Sequence, residues 1–314
     1  MENRSLSRWI ADMLAERPVR ANSLIITIFG DMIAPHGGTV WLGSLIGLVA
    51  PFGINARLVR TSVFRLSREK WLVSHQIGRR SYYSLTAMGH RRFDHAYRRI
   101  YNDPRTHWNG DWQVVIVPND ALTTAQRDTL RTELLWEGFG SIAPGVMAHP
   151  SASEDSLLDI LQSTGTHDKV VVLQARTLGA LAGRPLKALV EGCWNLKRVA
   201  DEYRRFLENF RPVARMLRNA ARQDPEQCFM VRVLLMHEFR RVPLRDPQLP
   251  RQLLPTEWPG DKARALCAEI YRLCRETTET HLTTTLETPD GPLPKANALF
   301  EERFSSTGSD PSNH

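Results

Sequence analysis

The sequence predicts a multidomain α+β chain, and three patterns carry that prediction. The first hundred residues read as a winged helix-turn-helix, the next stretch alternates β-α-β-β-α-β, and the remainder repeats apolar residues at helical spacing. At 314 residues, two or three domains are expected. The predicted boundaries are an N-terminal helix over 1–20, a winged helix domain over 21–101, a ferredoxin-like central domain over 102–177, a mostly α-helical domain over 178–286 and a disordered tail over 287–314.

Residues 5–17 form an amphipathic pattern that Pro18 ends. The dense apolar run Ser23–Ile33 reads as one buried helix before the turn Pro35-His36-Gly37-Gly38. A second helix is predicted to open at Thr39 as its N-cap, carrying Trp41, Leu42, Leu45, Ile46 and Leu48. After the turn Pro51-Phe52-Gly53, a third helix runs from about Ile54 to Arg68 with Asn55 as its cap. Trp71–Val73 and Tyr82–Leu85 read as strands, and His75–Arg80 between them as a hairpin with Gly in the turn and Arg79 and Arg80 at its tip. Thr86 then caps a helix to about Ile100.

After a linker over 102–110, Trp112–Val117 reads as a strand, Thr124–Trp136 as a helix and Ser141–Ala148 as two short strands broken by Pro144-Gly145. Ser153–Leu161 is a helix and Val170–Gln174 a strand, which completes the split β-α-β order. The pattern from Leu178 onward is helical, with long segments over Trp194–Phe210, Pro225–Arg241 and Asp261–Leu282. Pro243, Pro247, Pro250, Pro255 and Pro259 mark an irregular connection. The Pro, Ser, Gly and Asn-rich composition after Thr288 predicts disorder.

The charge is unevenly placed. Residues 1–100 hold 15 Lys+Arg against 6 Asp+Glu, whereas the rest holds 26 against 28. A basic domain on a near-neutral body is the electrostatic footprint of a polyanion binder. Of the basic residues 35 are Arg and 6 are Lys, and guanidinium forks grip phosphates and guanine edges in pairs. No run of 18 apolar residues occurs and no signal peptide is evident, so a cytoplasmic protein, nucleoid-associated when bound to DNA, is expected. The four cysteines lack metal-site spacing and are expected to pack in cores; no cofactor and no metal are expected from the residues.

Helical periodicity divides the third helix. Val59, Ser62, Val63 and Leu66 share one side, and Arg57, Arg60, Thr61, Phe64 and Arg68 the other, with Arg65 at the flank. A recognition helix needs this division, since the major groove takes one helix and is read by its outer face. Arg57, Arg60, Thr61, Arg65 and Arg68, with Arg79 and Arg80 of the hairpin, are therefore the candidate DNA-contacting residues.

The stretch Phe52–Thr61, continuing through Arg65-Leu66 and Trp71-Leu72, resembles the PaaX family, repressors of phenylacetic acid degradation operons. Leu234–Arg241, Asp246-Pro247, Leu253–Pro255 and Trp258–Gly260 are similar to that family's C-terminal signature, and the regions of Trp112 and Gly145 fit as well. The resemblance implies a homodimeric repressor on palindromic promoter DNA, released by the effector phenylacetyl-CoA. It also implies a central domain like the small ferredoxin-like nucleases of CRISPR adaptation. An acyl-CoA pocket needs cations for phosphates and apolar residues for the acyl group, which makes Trp194, Lys197, Arg198, His237, Arg240 and Arg241 candidates for effector binding.

Three other readings compete. A metal-dependent nuclease on the central domain would need carboxylates to converge, and Asp111 and Asp120 stand at opposite ends of the first strand with no D-x-D or H-x-H cluster beside them. A scaffold without DNA binding would have no use for the arginine face. A regulator answering another acyl-CoA or an aromatic acid would keep every feature above. No catalytic residue is expected.

Overall fold

The computed structural model describes residues 2–102, 108–177 and 186–304. The sequence expectations for 103–107, 178–185 and 305–314 lie outside these. The chain is a mixed α+β protein that divides into two units. Unit 1 comprises Met1–Asn102, Arg204–Arg241 and Asp261–His314; unit 2 comprises Asp103–Tyr203 and Val242–Gly260. The C-terminal helical stretch predicted over 178–286 is thus shared between the two, because its helices find their apolar partners in different parts of the chain.

Unit 1 starts with helix α1 (Glu2–Glu16), which buries Leu6, Ile10 and Met13 and sets Trp9 edge-on to Phe210 at 5.4 Å. Helix α2 (Ala21–Ile28) follows, and the predicted single helix to Ile33 is not continuous. Phe29–Ile33 widens into a π turn and Ala34–His36 tightens into a 3₁₀ turn. Pro35 lacks the N–H a helix needs, and Gly37 then takes φ 88°, a left-handed exit that suits glycine.

Thr39 does not cap a helix. It opens the short strand β1 (Thr39–Trp41), where its hydroxyl meets Ser84 Oγ at 2.9 Å. Helix α3 (Leu42–Val49) begins after it, and α4 (Ala56–Arg68) follows a short turn. Strands β2 (Leu72–Ile77) and β3 (Arg80–Leu85) are longer than predicted and pair antiparallel, giving a three-stranded sheet of order β1-β3-β2. Helix α5 (Ala87–Tyr101) is capped by Thr86, whose Oγ1 accepts from Gly89 N at 2.9 Å. At its other end Arg264 donates to the carbonyls of Ile100 and Arg99, as a cation at a helix C-terminus should.

Unit 2 holds strands β4 (Asp111–Ile116), β5 (Gly140–Ala143), β6 (Val146–His149) and β7 (Val171–Arg176), in the antiparallel order β5-β6-β4-β7. Helices α6 (Thr124–Glu137) and α7 (Glu154–Ser163) supply the crossovers, so the arrangement is ferredoxin-like. Its core joins Val115, Leu130, Leu134, Phe139, Leu157 and Leu161. Helix α8 (Leu186–Cys193) and the start of α9 (Leu196–Asn219) also count with this unit. The proline-rich segment is irregular but anchored: His149 Nε2 donates to Pro247 O at 2.8 Å, and Tyr203 OH donates to Asp246 Oδ2 at 2.8 Å.

The remaining helices of unit 1 are α10 (Pro225–Phe239), capped by Asp224, and α11 (Pro259–Thr285), whose first two residues count with unit 2. Residues 287–304, predicted to be disordered, instead form strands β8 (Glu287–Thr288) and β9 (Gly291–Pro292) and helix α12 (Ala298–Glu301). Leu293, Phe300 and Phe304 are buried there. Those three apolar anchors outweigh the local turn composition.

Candidate nucleic-acid interface

The turn Ala50–Phe52 and Gly53, at φ 74°, deliver the chain to α4. Asn55 Oδ1 then accepts from Leu58 N at 3.0 Å and starts the helix. Val59, Val63, Leu66 and Ser62 are buried, and α4 packs on α2 and β2. Arg57, Arg60, Thr61, Phe64, Arg65 and Arg68 are exposed on the outer side. Thr61 Oγ1 donates to Arg57 O at 3.0 Å, and Arg65 Nε reaches Glu69 Oε1 at 2.8 Å. Among the described residues Arg57, Arg60 and Arg68 have no ion-pair partner.

The hairpin turn is only Gly78-Arg79, since Ile77 and Arg80 already pair. Gly78 sits at φ 59°, the positive angle a two-residue turn between right-twisted strands requires. Arg79 is exposed at the tip. Arg80 is not at the tip: it lies in β3, its Nη1 is 2.6 Å from Glu287 Oε2, and its guanidinium sits 4.2 Å over the Trp41 ring. Nearby, Arg92 covers Trp71 at 4.7 Å while Arg91 is exposed.

The six candidates for effector binding are distributed over both units. In unit 2, Trp194 is buried, stacks on Trp112 at 6.3 Å and donates from Nε1 to Gly138 O at 2.8 Å. Lys197 and Arg198 are exposed, the latter near Glu202 at 3.4 Å. In unit 1, His237 is buried with Nδ1 3.1 Å from Thr27 Oγ1. Thr27 gives its own proton to Ser23 O, so His237 Nδ1 is the donor. Burial, with Arg240 and Arg241 adding to it, lowers the His237 pKa to about 4. Arg240 donates to Ser23 O and Oγ, and burial lowers its pKa to about 10. Arg241 is exposed beside Glu238 at 3.4 Å.

A cluster that sequence reasoning missed lies inside unit 1. Asp31 Oδ2 accepts from Arg232 Nε at 2.9 Å, while Oδ1 accepts from Arg303 Nη1 at 3.1 Å and from Tyr101 OH. Arg232 also donates to Glu279 Oε1 at 2.9 Å and to Tyr271 OH at 2.8 Å. Burial disfavours the Arg232 cation, yet Asp31, Tyr271 and Glu279 outweigh it and its pKa is raised. Burial likewise raises Tyr101 and Tyr271. The π turn, α5, α10, α11 and residues 302–304 thus converge on one carboxylate. The signal was present: Asp31 and Arg232 each stand as the lone charge in an apolar run, and buried charges are found paired.

For the nuclease reading, Asp111 is fully engaged. Arg176 holds Oδ1, and Asn109 and Gln174 each donate to Oδ2 at 2.8 Å; the Arg176 hydrogen bond keeps the carboxyl below its usual range. Among the described residues no group of three His, Cys, Asp or Glu is placed to hold a metal, and no single helix is long and apolar enough to cross a membrane. The cysteines are free thiols; Cys228, Cys267 and Cys274 are buried.

Comparison with known proteins finds three family matches in chain order. Residues 20–89 match the family described as PaaX-like protein, residues 105–186 that of the PaaX protein central Cas2-like domain, and residues 194–284 that of the PaaX-like protein C-terminal domain. The chain is 38% identical over 288 residues to the transcriptional repressor PaaX of Escherichia coli (strain K12), covering 91% of this chain and 90% of that protein. The structure of the uncharacterized protein Rv0674 from Mycobacterium tuberculosis is similar with a TM-score of 0.54 at 24% identity, covering 83% of this chain and 97% of that one. At that identity the likeness concerns the fold alone.

Proposed function

Because the chain belongs to the PaaX family, we propose that it is a sequence-specific DNA-binding transcriptional repressor of a phenylacetate catabolic operon, released from its operator by phenylacetyl-CoA. It is a regulator rather than an enzyme, and it works in the cytoplasm as a homodimer on a palindromic site. The observation that carries the DNA reading is the division of α4, apolar and buried on one side, cationic and open on the other.

In this reading α2, α3 and α4 with the β2–β3 hairpin act as a winged helix-turn-helix. Arg57, Arg60, Thr61, Arg65 and Arg68 enter the major groove, and Arg79 and Arg80 meet phosphates or the adjacent minor groove. Arg65 and Arg80 first leave Glu69 and Glu287; both pairs are solvent-exposed, and such pairs hold weakly.

Release works by linkage: the thioester must bind the DNA-free conformation better than the DNA-bound one. Of the six effector candidates, Lys197, Arg198 and Arg241 are exposed cations suited to phosphates. Trp194, His237 and Arg240 are already hydrogen-bonded within the chain and would give up those contacts to take part in binding the effector.

The test is fluorescence anisotropy of a labelled promoter fragment from a phenylacetate catabolic operon at fixed salt. Tight binding abolished by phenylacetyl-CoA, and not by free phenylacetate, is expected. Binding indifferent to the thioester would discard the effector and keep the repressor.

A further inference from the structure

The arginine face of α4 has an apolar centre. Phe64 is 64% exposed, the highest value for a large apolar side chain among the described residues. Counting about 100° per residue, Arg57, Arg60, Thr61 and Arg68 all lie within roughly 60° of Phe64 around the helix axis. Its neighbours Val63 and Leu66 are buried, so the exposure belongs to this face and not to a frayed helix end. Asn55 fixes the start of the helix and Arg65–Glu69 ties its last turn. No ring or cation contact engages Phe64 among the described residues.

An aromatic ring left about two-thirds open to water amid three cations gains by a partner that covers it. The partner must be strongly anionic at the rim, to meet the arginines, and apolar at the centre, to meet the ring. Duplex DNA satisfies both at once: phosphates flank the major groove, and the thymine C5-methyl is the apolar feature on its floor. We propose that Phe64 is a specificity-determining residue that reads a thymine methyl, while the arginines around it supply phosphate and guanine contacts. This rests on the DNA-binding reading above and adds which base feature the helix centre selects. A polar groove floor, such as one lined by cytosine amino groups, would leave the ring without a partner.

The experiment removes only that methyl. The full-length protein first selects duplexes from a random-sequence pool, and each thymine of the selected site is then replaced in turn by uracil. At one thymine in a half-site the replacement should weaken wild-type binding about fourfold, the equivalent of one buried methyl group. Phe64→Ala should be insensitive to the same replacement, and Phe64→Leu should keep part of the discrimination. If no thymine matters, or if the thymines that matter do so equally in Phe64→Ala, the inference is overturned and the DNA reading stands. If no sequence is enriched, the DNA reading fails and takes the inference with it. A Phe64→Ala chain that does not fold would contradict the open face itself, and Phe64→Leu would show the same defect.

Discussion

Arg80 and Glu287 form an ion pair at 2.6 Å, so a hairpin arginine is held by the strand that follows the last long helix. Glu287 is itself fixed by Ser44 Oγ, which accepts from its backbone N at 3.2 Å. In the proposed complex Glu287 competes with phosphate for Arg80. Glu287→Gln is therefore expected to bind DNA more tightly with an unchanged slope of log K against log salt, since Arg80 meets the same phosphate without first leaving a carboxylate. Arg79→Ala should lose about one unit, measured by anisotropy over a salt series.

The pair Asp31 and Arg232 is fully buried, and each member also serves other partners. Removing one leaves an uncompensated charge in the core. Arg232→Ala or Asp31→Ala should cost about 3–5 kcal/mol in urea unfolding. The double variant should fall well short of the sum, since the second removal relieves the orphan left by the first.

His237 makes stability depend on pH. Its folded pKa, about 4, lies below the ordinary histidine value, so between the two the unfolded chain binds more protons. Stability is thus fully present at neutral pH and is lost as pH falls from about 6.5 toward 4, by roughly 3 kcal/mol at the lower end. His237→Asn retains a donor toward Thr27 and should flatten that part of the curve in denaturant titrations.

Trp194 is packed against Gly140, where an added Cβ would stand 2.6 Å from the indole ring. Gly140→Ala should therefore destabilise by about 1–3 kcal/mol through overpacking, and Trp194→Ala by about 3–5 kcal/mol through a cavity. Neither should change the DNA affinity of the protein that remains folded. A selective loss of thioester response at full stability would return Trp194 to the effector site.

What the sequence made legible was local. The two faces of α4, the caps Asn55 and Thr86, and the order of the central strands all follow from periodicity and short-range hydrogen bonds. What it hid depends on distant partners. Thr39 reads as a cap until Ser84, 45 residues on, claims it for a strand. Arg80 reads as a free tip until Glu287, 207 residues on, holds it. The composition after Thr288 says disorder, but Phe300 and Phe304 have a core to enter. Asp31 and Arg232 lie 201 residues apart, and only their isolation in apolar runs hinted that they needed one another.

The central claim is that the outer face of α4 reads DNA, and Arg60→Glu tests it most directly. Arg60 is exposed and unpaired among the described residues, so the charge reversal should leave the unfolding midpoint unchanged. Anisotropy on the selected duplex should then show binding reduced to the level of random DNA. Arg60→Glu binding that duplex as the wild type does, at the same salt, would contradict the account.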